Sequence, residues 1–169
     1  MKKFAWWKLI VGFVFYLFFH QLYDWIPDTI IGAILGESIG SIYAHMEMLF
    51  YSYIVVNIID YVRNRKEINL EKFLYARMLI LASVPWMMII IYYAVEALGI
   101  APSHTIEVIW GIVTTLIGFY FAIRLEEPFE SMSLNGSVKA MIVLAFLTAL
   151  ITYVGFSFAV PDNFFTPSH

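Results

Sequence analysis

Histidine and carboxylate side chains gather in this chain where no lysine or arginine accompanies them. With the apolar runs threaded as membrane-crossing helices, all four histidines (His20, His45, His104 and His169) fall toward one side. Asp24, Asp28, Glu37, Glu47, Glu96, Glu107 and Asp162 fall there too. Imidazoles and carboxylates without basic partners create a negative field, which protonation, solvent or a bound cation must relieve. Two or three imidazoles with carboxylates suit zinc or a similar divalent transition metal. The expected metal ligands are His20, Glu37, His45 and Glu107, with Tyr23, Asp24, Ser38, Ser41 and His104 as supporting or alternate groups. Helical spacing favours parts of this set. His20 and Asp24 are four apart, His104 and Glu107 three apart, and Glu37 or Ser38 leads through Ser41 to His45 in steps of three or four. Glu47 lies about 200° around its helix from His45, so one site does not use both. The same groups could instead hydrogen-bond one another and fix helix contacts. There is no His-Glu-x-x-His, no paired Glu-x-x-His and no cysteine.

The elements that must position these groups follow from composition. Of 169 residues, 62% are hydrophobic and 14% charged, against about 45–50% and about 25% in soluble domains. That excludes a soluble enzyme, a disordered chain and a nucleic-acid binder, and the lack of cysteine excludes a disulfide scaffold. The expected fold is all-α: one integral membrane domain over 1–169, a bundle of five transmembrane helices. The apolar runs cover about 4–25, 38–62, 73–98, 104–125 and 137–160, each long enough for a hydrocarbon core of about 30 Å. The Lys2-Lys3 start resembles a signal peptide, but no small-residue cleavage site follows, so the first run is expected to stay as a helix. Five spans put all ten basic residues on one side, which by the positive-inside rule is the cytoplasm. The N-terminus is then cytoplasmic and the C-terminus extracytoplasmic, in a cytoplasmic (inner) membrane. The bilayer is the first partner; other membrane proteins or a second copy of the chain are the others.

Local features refine this picture. Asp28 to Gly36 is too short to span and reads as a surface or re-entrant turn. Pro85 inside the third run predicts a kink. Gly111, Thr114, Thr115 and Gly118 give the fourth run a small face, and Ala140, Ala145, Ala149 and Gly155 do the same on the fifth. Glu126, Glu127 and Glu130, before and after Pro128, read as a wet cytoplasmic turn that ends the fourth span. The cytoplasmic halves of the spans read as nearly free of buried polar groups, which weighs against transport. Asn135-Gly136-Ser137 matches a glycosylation sequon on the wrong side of the membrane for use. No phosphate loop or nucleophile elbow occurs.

His20-x-x-Tyr23-Asp24-Trp25 resembles the His-x-x-Tyr-(Glu/Asp)-Trp motif of a family of small prokaryotic multipass membrane proteins, a domain of unknown function. Gly36-Glu37-Ser38 with His45-Met46-x-Met48-Leu49-Phe50 is similar to the family's Asn-Glu-Ser and His-(Leu/Met)-Lys-(Leu/Met)-Leu-Phe stretch. The resemblance implies that His20, Tyr23, Asp24, Glu37, Ser38 and His45 belong together, and it brings no activity with it. Here Gly36 replaces an Asn, Tyr43 stands where the family has Trp, and Glu47 replaces a Lys, which makes the surroundings more acidic. The first expectation is therefore a divalent-metal site near the outer surface. In it Asp24 orients His20, and any open coordination position would let metal-activated water hydrolyse a lipid-borne or extracytoplasmic ester. The alternatives are a non-catalytic accessory or assembly subunit, and a small-solute or proton carrier.

Overall fold

The computed structural model describes residues 4–36, 42–97 and 104–158, and of Glu96, His104 and Phe156 the backbone alone. These residues form six helices: α1 (Trp6–Trp25), α2 (Ile30–Leu35), α3 (Ile42–Asn64), α4 (Leu70–Ala97), α5 (His104–Ser131) and α6 (Gly136–Phe156). All are α-helical, as composition demands of a chain that must satisfy its backbone without water. Four of them, α3 to α6, are long and apolar enough to cross a membrane. The chain is thus a multipass membrane protein by the length and composition of its helices. At 20 residues α1 matches about 30 Å of hydrocarbon, but Trp6, Trp7 and Lys8 at one end and His20, Gln21 and Asp24 at the other dilute its apolar character.

The five long helices run alternately up and down. Lys8 near the start of α1 meets Asp60 near the end of α3 and Glu126 near the end of α5. Lys139 at the start of α6 pairs with Glu71 at the start of α4. Every described basic residue therefore gathers at one end, here called the basic end, and His20 and His45 lie toward the other. The central helix is α3: 72% of its apolar window is buried, against 17% for α6, which turns Met141, Leu144 and Ile151 outward. An outward apolar face costs nothing when lipid is the solvent.

Short-range chemistry explains the connections. Asp28 takes a left-handed conformation (φ 61°), turning the chain out of α1. Thr29 then caps the two-turn α2, its hydroxyl accepting from the Gly32 amide at 2.9 Å. Asn135 caps α6 by accepting from the Val138 amide, a structural role for the residue of the sequon. Gly118 lies against Leu49, and Gly12 so close to Phe119 that a Cβ there would stand 2.6 Å from the ring. Thr114 and Thr115 are buried, whereas Gly111 faces open space. The small face expected on the fifth span is mostly outward: Ala149 is buried, but Ala140, Ala145 and Gly155 are exposed. Pro85 sits inside α4, which continues through it.

One boundary differs in a way that matters. Instead of stopping at Glu126, α5 runs on through Glu127 and Pro128 to Ser131. The extra turns carry Glu126 and Glu130, four residues apart, down the inward face of the helix, where they meet cations. The reading of a wet turn fails for Glu126 and Glu130, whose partners come from other helices, while Glu127 is exposed.

Candidate functional site

Four helices contribute to a buried ionic network at the basic end. Lys8 of α1 reaches Asp60 Oδ2 of α3 at 2.6 Å and Glu126 Oε2 of α5 at 2.5 Å. Arg77 of α4 donates from Nη2 to Glu130 Oε1 at 2.7 Å and to Glu126 Oε2 at 3.2 Å, with Asp60 Oδ2 at 3.6 Å. Its Nε donates to Asn57 Oδ1 at 2.8 Å, and its guanidinium lies over the Phe73 ring. The Tyr53 hydroxyl donates to Glu126 Oε1 at 2.8 Å, and Asn64 to Asp60 Oδ1 at 2.9 Å. Lys8, Asp60, Arg77 and Glu126 are each less than 10% exposed.

Spacing along each helix brings these groups together. Tyr53, Asn57, Asp60 and Asn64 follow one another at intervals of four, three and four on α3, and Ala122, Glu126 and Glu130 at intervals of four on α5. The expectation of polar-free cytoplasmic halves is overturned here. Lys8 and Arg77, read as topological markers at span ends, are turned inward between helices. The signal that could have found the network is the position of Lys8, Asp60 and Arg77 inside apolar runs, where an ionised group requires a partner.

The network forms the inner wall of a cavity of about 540 Å³ open at the basic end. Beyond the network its lining includes Trp7, Asn64, Lys72 and Arg124. Pockets for small ligands are typically about 300–1,000 Å³. Within the network, the carboxylates of Asp60, Glu126 and Glu130 outnumber the cations Lys8 and Arg77. Arg77 also keeps one buried donor, Nη1, without an acceptor among the described residues. A desolvated donor left in that state costs about 1–3 kcal/mol, which a ligand acceptor recovers. The wall thus offers an excess negative charge, and Arg77, which lines it, holds a buried donor whose acceptor is missing among the described residues.

The opposite half holds the expected histidines. His20 of α1 and His45 of α3 lie with ring centroids 5.7 Å apart and planes inclined by 27°. The Tyr16 hydroxyl contacts His45 Nδ1 at 2.8 Å, and Gln21 Nε2 lies 3.2 Å from His20 Nδ1. Tyr23 is half-buried where α1 meets the end of α2. Asp24 is exposed and Glu107 half-buried. Glu37, Ser38, Ser41 and the His104 side chain lie outside the described residues. Among the described residues no three histidines or carboxylates converge as a metal would require. As its angle demands, Glu47 faces away from His45, toward Ser157 just past α6.

Between the two halves the bundle is closely packed by mostly apolar side chains. Phe119, Val56 and Phe50 are fully buried, Phe119 packs on Gly12 and Leu49 on Gly118. No protein-family model matches the chain, and neither curated proteins nor solved structures yield a match.

Proposed function

We propose that the protein is a five-span carrier for a small zwitterionic solute of the amino-acid class, taken up from a cytoplasmic cavity. The observation that carries this reading is the buried network of Lys8, Asp60, Arg77 and Glu126 forming the wall of an open cavity. Ionisable groups placed inside a membrane bundle mark solute and ion pathways. The ammonium of a zwitterion offsets the excess carboxylate charge, and its carboxylate pairs with the Arg77 guanidinium once that side chain turns its buried Nη1 to the cavity. In this reading α1 is the fifth span, and the positive-inside rule places the basic end, and so the N-terminus, in the cytoplasm. The apolar layer around Phe119 and Gly12 then serves as the barrier that alternates between closed and open.

The reading is tested with protein reconstituted into liposomes preloaded with unlabelled amino acids and exposed to a labelled amino-acid mixture. Saturable counterflow is expected, reduced at least about tenfold by Asp60→Asn, which leaves Lys8 and Arg77 without one of their counter-charges. Uptake no greater than in protein-free liposomes overturns the proposal.

A second reading has its own observation. The approach of His20 and His45 from separate helices supports the divalent-metal site, completed by Glu37 and Glu107, with zinc as the ion. In it the ion ties α1 to α3 near the outer surface. Purified protein is then expected to bind zinc stoichiometrically, and His45→Ala to lose it. Equal zinc uptake by both proteins removes this reading and leaves the carrier proposal standing.

A further inference from the structure

Among the described residues, Glu47 is a buried carboxylate with no cation beside it. It lies in the second turn of α3, is 5% exposed, and its Oε1 accepts from Ser157 Oγ at 2.7 Å. The described basic residues all lie at the other end of the bundle, so no lysine or arginine there offsets its charge. The groups around it are neutral and oxygen-bearing. The Tyr51 hydroxyl approaches the carboxylate without reaching hydrogen-bond geometry, and Tyr153 faces it from α6. Both hydroxyls are buried and have no hydrogen-bond partner among the described residues. Tyr43 closes the cluster, its ring 5.7 Å from that of Tyr153 and its hydroxyl donating to the Thr152 carbonyl at 2.9 Å.

A buried carboxylate must be neutralised by a proton or by a cation. Protonation would settle the charge but adds a single donor among several clustered oxygens. A small hard cation settles the charge and engages the carboxylate and the hydroxyl oxygens together, while the ionised carboxylate stays free to accept from their O–H groups. One negative charge among neutral oxygens matches a single positive charge. We infer that the Glu47 carboxylate, Ser157 Oγ and the hydroxyls of Tyr51 and Tyr153 form a sodium site joining α3 to α6. It is separate from the charged cavity and from the histidine pair, and it stands whether or not the protein carries a solute.

Trp86 lies against Tyr153, ring centroids 6.5 Å apart, so in a variant with the other four tryptophans replaced by phenylalanine its fluorescence follows the site. The full chain is unfolded thermally in detergent at constant pH and ionic strength, with sodium chloride progressively replacing choline chloride. The midpoint is expected to rise saturably with sodium and much less with potassium at equal concentration. Glu47→Gln, which keeps shape and hydrogen bonding, is expected to abolish the response. Tyr153→Phe removes one oxygen and no charge, and is expected to weaken apparent sodium affinity about tenfold, the equivalent of about 1.4 kcal/mol. A wild-type midpoint that is the same in sodium and choline overturns the site, as does a sodium response retained by Glu47→Gln. Should that variant fail to fold, an unchanged response in Tyr153→Phe overturns it equally.

Discussion

Arg77→Gln is expected to cost about 3–5 kcal/mol of folding free energy, enough to unfold a marginally stable protein. The substitution is close to a pure charge deletion. Glutamine retains an N–H donor for Asn57 Oδ1, so what disappears is the guanidinium charge shared among Asp60, Glu126 and Glu130. Lys8 alone then faces Asp60 and Glu126, and one buried carboxylate is left uncompensated. Glu130 is the least affected, because its side chain is 30% exposed and water can hydrate it. Reversible unfolding in mixed micelles, followed by far-ultraviolet circular dichroism, measures the loss. Adding Glu126→Gln to Arg77→Gln should recover part of it, so that the pair costs less than the two single changes together. Strict additivity would mean that the two residues do not share an interaction. Lys139→Ala is the control. The Lys139–Glu71 pair is solvent-exposed, so its removal should leave the midpoint unchanged.

The fold was largely legible in the sequence, because transmembrane helices announce themselves by apolar length. The runs of 38–62, 73–98, 104–125 and 137–160 correspond to α3 to α6, and the one serious boundary error has a specific cause. Glu126, Glu127 and Pro128 carry every local signal of a helix end, and local signals cannot register Lys8 or Arg77 arriving from helices far away in sequence. The candidate site was half legible for the same reason. His20 and His45 stand out by type in an apolar setting, and they do approach one another. Lys8 and Arg77 were hidden by having a sufficient alternative explanation, since basic residues near span ends also set topology. Depth was the overlooked clue. Asp60 lies among Ile58, Ile59, Tyr61 and Val62, and Arg77 is followed by Met78, Leu79, Ile80 and Leu81; neither sits where water alone would solvate it. The Glu47 cluster shows the opposite case. Its separation from His45 followed from the angle of 100° per residue, but Tyr153 and Ser157 become its neighbours only when α6 folds back on α3.

Replacing the whole network separates its contribution to stability from its contribution to binding. The variant Lys8→Met, Asp60→Asn, Arg77→Gln, Glu126→Gln removes two positive and two negative charges together. The amide introduced at position 60 can still accept from Asn64, and the one at position 126 from the Tyr53 hydroxyl, the partners that Asp60 and Glu126 hold. Desolvating four charges is expensive, and exchanging a buried ionic cluster for hydrophobic groups of similar volume is often neutral or stabilising by about 1–4 kcal/mol; the methionine and amides used here avoid the same desolvation while keeping two of the hydrogen bonds. The fourfold variant is therefore expected to unfold at or above the wild-type midpoint, although Arg77→Gln alone is severely destabilised. Its amino-acid counterflow should fall to the level of protein-free liposomes, since the cavity then lacks the Asp60 and Glu126 carboxylates and the Arg77 donor and keeps only the half-buried Glu130 charge. Two outcomes would contradict this. If the fourfold variant is as unstable as Arg77→Gln, the charges are required to hold the four helices together and their burial is a structural device. If it folds and still exchanges amino acids, the solute does not engage the network. A stable, inactive variant is the result that a binding site predicts and a structural lock does not, because a bundle that folds as well without its ions has retained them for something other than folding.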